Sequence, residues 1–368
     1  MLLTLPFLII VGGGITRAVV GVGWGLQPLP VIGAAVAAAI GGTYYTLAAG
    51  ALAIAECALF LVGSQQLDVR RSESVAILAT AGVTATGVLI CRARARRERQ
   101  LAQVTLVAEA AQRVLLRPVP HQVGAVKLAA CYLSAATGAR VGGDLYEVVA
   151  ADGYLRLIVG DVEGKGLPAI QSAASVLGVF REAAHDEKNL TEIAGRIEAS
   201  LSRELGEEQF VTALFAEIPM DGGRLQLLNC GHPAPLLLGT SRPRFIEPEK
   251  CSLPLGLSHL GGIPRIPVTV PFQPGDEVLF YTDGASEARN KAGEFFPLAE
   301  CDSVNASREP DTLVDRLADE VVRYVGHAPD DDVALLLVYQ NGLGPAQQRT
   351  VPDLWRKASR RPACKAGP

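Results

Sequence analysis

The chain has no Cys-x-x-Cys pair, and none of its seven cysteines (57, 91, 131, 230, 251, 301 and 364) sits beside a histidine at zinc-finger spacing. This excludes a structural zinc site and a disulfide framework as organising devices, and the thiols read as reduced residues of a reducing compartment. A basic excess is also missing. The formal net charge is -4 and the isoelectric point is near 5.8, which argues against a nucleic-acid binder. No charged segment precedes the first apolar stretch and no A-x-A cleavage signature follows it, so a signal peptide is not read there. Nor does the apolar part carry the charged or broken-helix pattern expected of a transporter's substrate path.

What the chain has in excess is apolar residues. They make up 49% of 368 residues, and the mean hydropathy is +0.25, both high for a purely soluble enzyme. The excess lies before about residue 91. Leu2–Trp24 reads as a membrane span, with Arg17 at an interface or snorkelling towards one. Pro30–Gly63 is too long for one span of about 20 residues. Gly41, Gly42 and Thr43 break it into a short helix and a second one over Tyr44–Val62. Ser74–Cys91 makes the last span and ends against Arg92, Arg94, Arg96, Arg97 and Arg99, which by the positive-inside rule keeps all that follows in the cytoplasm. Three or four spans fit, with four the preferred reading, although Arg70 and Arg71 oppose an outside loop between the last two. Glu56, within a span, is either a functional group or a polar helix–helix contact.

The organisation expected is a transmembrane region at 1–91, an Arg-rich connector helix at 92–118, a catalytic domain at 119–340 and a disordered basic tail at 341–368. In the connector, Leu101, Val104, Ala108, Ala111 and Leu115 recur at steps of three and four. That spacing fits a short coiled-coil seam joining two chains in a homodimer. It fits equally a single amphipathic helix lying on the catalytic domain or on lipid. The basic tail, with Arg349, Arg356, Lys357, Arg360, Arg361 and Lys365, suits contact with anionic lipid.

After residue 119, short strand-like runs alternate with two helical stretches, Leu167–Ala184 and Leu190–Leu205, and a third at Thr312–Val325. Mostly antiparallel strands with helices in blocks favour an α+β sandwich over a doubly wound sheet. Acids recur at the strand ends. Asp144 closes VGGD, Asp161 closes LIVGD, Asp283 closes LFYTD, and Asp330, Asp331 and Asp332 precede VALLLV. Each alone is an ordinary turn acid. Together they read as one hard-cation site built from separate loops, and oxygen-only ligands select Mg²⁺ or Mn²⁺ over zinc. Two such ions about 4 Å apart can clamp a phosphoryl group and activate a water.

The ordered blocks VGGDLYEV, GDVEGKGLPA, FVTALFAEI, LLNCGHPAPLLL, LPLGL, PGDEVLFYTDGASEARN and DDVALLLV resemble the SpoIIE-type branch of the PPM (protein phosphatase 2C) superfamily. The resemblance covers about residues 120–340, and the anchor with its connector is similar to membrane-bound actinobacterial members. It implies a PPM-type β-sandwich of two antiparallel sheets flanked by helices, and an enzyme that hydrolyses phosphoserine or phosphothreonine by two-metal water activation. It also implies metal ligands at Asp144, Asp161, the Val162 carbonyl, Asp283 and Asp331, with Asp161 bridging two Mn²⁺ or Mg²⁺ ions. Within the acidic triplet, Asp331 is chosen because it begins the final block. The implied substrate is a phosphorylated protein such as an anti-sigma factor antagonist. Glu163 stands where the family usually has a small or hydroxylated residue, and it could protonate the leaving oxygen or act peripherally. Lys165 is placed for substrate phosphate as a point charge. Glu147 replaces a frequent aspartate at a non-ligand position. His232 is read as architectural, with Asn229 and His232 satisfying backbone groups in a tight turn. A second reading keeps the fold as a catalytically weak, membrane-tethered binding module.

Overall fold

The computed structural model describes residues 2–20, 28–135, 142–151, 153–204, 209–239, 242–261, 264–306, 309–327 and 329–342. Part of the Leu2–Trp24 segment, Val141, Asp152, Leu205 and almost all of the basic tail lie outside them. Within the helix around residue 104, the side chains of Leu101 and Val104 are also outside. The chain divides into two compact units, Met1–Gln103 and Val104–Pro368.

The first unit is helical: α1 (Leu5–Val20), α2 (Leu29–Ile40), α3 (Thr43–Gly63) and α4 (Leu67–Leu115), the last running on into the second unit. The break at Gly41-Gly42 falls where the sequence places it. The last helix differs from expectation: it starts at Leu67 rather than Ser74 and continues unbroken through the arginine cluster. Nothing in that stretch stops a helix. Glycine and proline are absent between Cys91 and Leu115, and arginine and alanine are good helix formers.

Contacts within this unit set the helix directions. Phe7 meets Tyr45 at 5.2 Å between ring centres, and Arg17 meets Glu56 at 3.3 Å, so α1 and α3 run parallel. Cys91 Sγ lies 3.6 Å from Thr46 Oγ1 and 3.5 Å from the Ala38 carbonyl, which turns α2 and α4 the other way. The bundle is therefore up-down-up-down. Polar side chains point inward (Thr46, Glu73, Thr80 and Thr84 are buried), while Leu8, Ile15, Leu59, Val75, Leu78 and Leu89 are exposed. Arg17 does not snorkel. It is 1% exposed, because two glutamates inside the bundle receive it. Thr43–Gly63 and Leu67–Gln100 are long and apolar enough to cross a membrane, and α1 and α2 are shorter apolar helices.

The second unit is a four-layer sandwich. Its strands are β1 (Gln122–Val123), β2 (Val126–Leu133), β3 (Leu145–Ala151), β4 (Tyr154–Val162), β5 (Val211–Pro219), β6 (Gly223–Cys230), β7 (Leu236–Leu238), β8 (Arg244–Phe245), β9 (Val268–Phe272), β10 (Glu277–Tyr281) and β11 (Val333–Gln340). Its remaining helices are α5 (Leu167–Asp186), α6 (Leu190–Glu204), α7 (Asp283–Ser286), α8 (Asp302–Ala306) and α9 (Pro310–Val325). One sheet has the order β1-β2-β11-β10-β7-β8 and the other β3-β4-β5-β6-β9, and the strand pairs within both are antiparallel.

Period-two alternation builds the layers. Along β4, Leu155, Leu157 and Val159 face the opposite sheet, whereas Ile158 and Val162 pack under α5 and α6. Along β11, Ala334, Leu336 and Val338 fill the space between the sheets, whereas Val333, Leu335 and Leu337 pack under α9. Strands buried on both faces read in sequence as the continuous apolar runs LIVG and VALLLV.

The end of α4 packs on this unit's own helix. Ala108 is buried against Ile170 of α5, with Ala111 and Leu115 beside it. The described part of the connector thus takes the intramolecular packing that was one of its two expected roles. Arg181 of α5 also donates to the Leu115 carbonyl at 3.0 Å and pairs with the buried Glu147 at 2.5 Å. Glu147 is accordingly held in an ion pair with α5.

Candidate metal centre

One ligand oxygen from each of Asp144, Asp161 and Asp283 falls within 4.8 Å of the others. Three chain segments deliver them: the turn before β3, the next-to-last position of β4, and the first residue of α7 just beyond β10. Asp161 is not quite terminal, since β4 extends to Val162 and pairs it with Val211.

The approach of these segments depends on missing side chains. A Cβ at Gly143 would stand 2.3 Å from the Val162 carbonyl oxygen, and one at Gly284 would stand 1.9 Å from the Asp332 carbonyl oxygen. The turn after Asp161 needs glycine for a different reason: Gly164 and Gly166 hold φ of 103° and 79°, in the region that L side chains avoid.

Asp144 is buried and accepts a hydrogen bond from Thr282 Oγ1 at 2.6 Å. The same hydroxyl accepts from the Ala334 amide at 2.9 Å, so Thr282 ties Asp144 to β11. Burial, and next the charge on Asp161, push Asp144 well above the usual carboxylate range. Asp161 is pushed up to about 7, first by burial and then by Asp283 and Asp331. Asp283 is raised by burial, then by Asp331 and Glu287. Three carboxylates crowded in partly buried surroundings repel one another, and a divalent cation relieves that repulsion. An oxygen-only donor set of this kind fits Mn²⁺ or Mg²⁺.

Asp331 stands beside this trio. Its Oδ2 lies 2.8 Å from Lys165 Nζ, in a pair that is 46% and 39% exposed. Both residues line a cavity of about 280 Å³ together with Asp283, Glu287, Arg289 and Asp330. Asp332 has a different task. It is 1% exposed and accepts from the Ala135 amide and the Gly142 amide at 2.7 Å each, and from the Tyr132 hydroxyl. Gln112 of α4 reaches the same carboxylate at 3.5 Å and the Gly142 carbonyl at 3.4 Å. Asp332 therefore fixes the turn that carries Asp144.

The other expected residues separate cleanly. Glu163 is exposed, its amide donating to the Phe210 carbonyl at 3.0 Å, and it is not one of the three clustered acids. The Val162 carbonyl lies against Gly143. His232 is buried. Its Nε2 is 3.0 Å from the Tyr281 carbonyl, which makes this nitrogen the donor, and its Nδ1 is 3.0 Å from Thr212 Oγ1. Asn229 exchanges hydrogen bonds with the His232 backbone at 2.7 and 2.8 Å, as the architectural reading requires. Burial lowers His232 to about 4.

Thr282, Tyr132 and Gln112 were missed in the sequence. Thr282 has a signal, since it stands between the β10 run and Asp283. Tyr132 and Gln112 have none, because their partner Asp332 is distant in sequence.

The profile of the family described as Stage II sporulation protein E (SpoIIE) matches residues 151–341, a little over half of the chain. The chain belongs to the SpoIIE family. It is 26% identical over 240 residues to Protein IcfG of Synechocystis sp., a match covering 55% of this chain and 36% of that protein. It is 20% identical over 195 residues to the phosphoserine phosphatase RsbU of Bacillus subtilis, covering 52% of this chain and 55% of RsbU. The crystal structure of the RsbU and RsbW domains of Rv1364c from Mycobacterium tuberculosis superposes with a TM-score of 0.52 at 26% identity, covering 61% of this chain and 62% of that one. The chain thus spans between about a third and two thirds of the relatives it matches. The SpoIIE-type domain has the expected PP2C sandwich of two antiparallel sheets.

Proposed function

We propose that this chain is a metal-dependent protein serine/threonine phosphatase anchored in a membrane, with the catalytic domain in the cytoplasm. The observation that carries the reading is the convergence of Asp144, Asp161 and Asp283 within 4.8 Å in a SpoIIE-family domain. Asp161, flanked by the other acids, would be shared by two Mn²⁺ or Mg²⁺ ions, and Asp144, Asp283, Asp331 and the Val162 carbonyl would supply the remaining protein ligands.

Bound ions supply Lewis acidity and an activated water at a phosphate monoester. The chain's own residues do the rest. Thr282 holds the Asp144 carboxylate in one orientation, and Asp332 fixes the turn in front of it. Lys165 is close enough to the site to leave Asp331 for a substrate phosphate. Glu163, exposed at the turn, takes a peripheral role.

The substrate class we infer is a phosphorylated regulator of the anti-sigma factor antagonist type. RsbU is a phosphoserine phosphatase, and in Rv1364c an RsbU domain shares its chain with an RsbW domain. A membrane location is supported by the inside-out helical unit, apolar outside and polar within, and by two helices of spanning length. The up-down-up-down order favours four spans, with the arginine cluster on the cytoplasmic side.

The test is phosphate release from phosphoserine proteins by the full chain in detergent with Mn²⁺. Activity that survives EDTA, or survives Asp161→Asn and Asp283→Asn, would overturn the two-metal mechanism. The scaffold reading has one observation in its favour, the engagement of Asp331 by Lys165. Calorimetry showing no Mn²⁺ binding would support it.

A further inference from the structure

The helical unit encloses ionisable side chains that the phosphatase reading leaves unused. Arg17, near the end of α1, lies 3.3 Å from Glu56 of α3 and contacts Glu73 of α4 through its other terminal nitrogen. Its guanidinium is 4.3 Å from the centre of the Phe60 ring. Gly14 makes room for this arrangement, because a Cβ there would stand 3.0 Å from Glu56 Cδ.

Charge does not balance in this cluster. Two carboxylates face one guanidinium, and an uncompensated buried charge is strongly unfavourable. Among the described residues, no other packed element supplies the missing positive charge. The α2 segment Leu29–Ile40 has no ionisable residue, the neighbouring titratable group on α3 is the Cys57 thiol, and Asp68, Arg70 and Arg71 of α4 are exposed. Hydrogen bonding does not balance either. Arg17 Nε, Glu56 Oε2 and Glu73 Oε2 are buried without partners, and among the described residues only Gln340 Oε1 shares that condition. Orphaned polar atoms gathered in one place mark a missing water or cation.

We infer that this cluster is a proton-binding site: Glu73 pairs with Arg17, and Glu56 carries one exchangeable proton. Geometry assigns the two roles. The Glu73 side chain is 0% exposed, whereas that of Glu56 is 11% exposed and is the less enclosed of the two. Protonated Glu56 brings the cluster to neutrality and gains a donor for an internal water or an orphaned oxygen. On release, the O–H bond breaks, the proton goes to water, and Glu56 is left as a carboxylate. An alkali cation would satisfy the same oxygens only by facing the charge of Arg17.

The experiment is pH-difference infrared spectroscopy of the full chain in phosphatidylcholine nanodiscs, loaded with Mn²⁺ so that the phosphatase acids stay ionised. Subtracting Glu56→Gln from wild type is expected to leave one protonated-carboxyl band that disappears as pH rises. Glu56→Gln, the isostere of the acid, is expected to melt within a few degrees of wild type, and Glu73→Gln clearly lower. Absence of the band overturns the proposal. So does a Glu56→Gln protein as unstable as Glu73→Gln, or a band that vanishes at constant pH when choline is exchanged for sodium.

Discussion

Lys165 Nζ lies 2.8 Å from Asp331 Oδ2, so an internal cation occupies the carboxylate that stands beside Asp283. If Asp331 is a metal ligand, ion binding must displace that lysine. The pair is partly exposed and therefore worth at most about 1 kcal/mol. Lys165→Met is accordingly expected to tighten Mn²⁺ binding by no more than about fivefold, while raising KM for a phosphoprotein. Titration calorimetry and steady-state kinetics read the two effects. Unchanged metal affinity would mean that Lys165 does not compete for Asp331.

A second prediction concerns the metal-free domain. Asp161 is pushed up to about 7, so the folded state holds a proton that the unfolded state has already lost. Stability from this group is present below the unfolded value near 3.9 and declines as pH rises through about 7, by an amount on the order of 4 kcal/mol. Asp161→Asn removes the like-charge repulsion. Without metal and above about pH 7, it is expected to melt higher than wild type and to gain nothing from Mn²⁺. A variant that melts lower under those conditions contradicts the repulsion account.

His232 carries the opposite sign. Its folded value is lowered to about 4, so it is held neutral, and the unfolded chain binds the proton first. Its contribution is intact above about 6.5 and is lost as pH falls from there to about 4, by roughly 3 kcal/mol. The Asp161 effect runs the other way over much of this range. The readout is therefore the difference between wild type and His232→Gln in denaturant melts, with the variant expected to show a flatter acid limb. Parallel curves would place the titrating group elsewhere.

The three consecutive aspartates should separate by mutation. Asp332→Ala leaves the Ala135 and Gly142 amides and the Tyr132 hydroxyl without their acceptor, and is expected to cost about 3 kcal/mol or more. Asp330→Ala, at an exposed position, is expected to stay within about 0.5 kcal/mol. Equal losses in chemical denaturation would refute the assignment of Asp332 as the clamp.

The strands and the site acids were largely legible in the sequence, because β4 and β11 are buried on both faces and their runs stand out against turn residues. Asp161 and Asp283 announce themselves beside glycine. Less legible was whatever depends on a distant partner. The short strands β1 and β8 have only two residues each and little pattern to read. Arg156 looks like an outward-facing strand residue, yet it is buried, pairing with Glu217 at 2.8 Å and donating to the Ala184 and Glu187 carbonyls at the end of α5. The fate of Arg17 depended on glutamates on two other helices, which no local window contains.

The aspartate run also has a bearing on how this domain tolerates small deletions. Asp332 clamps a turn through backbone amides, Asp331 faces Lys165, and Asp330 is exposed. Because the three residues are identical, an in-frame loss of any one codon leaves aspartate at both inner positions and shortens only the outer loop. The site has redundancy written into its spelling: a slip of one residue, which elsewhere in a sheet would turn every side chain over, here leaves the two working carboxylates in place.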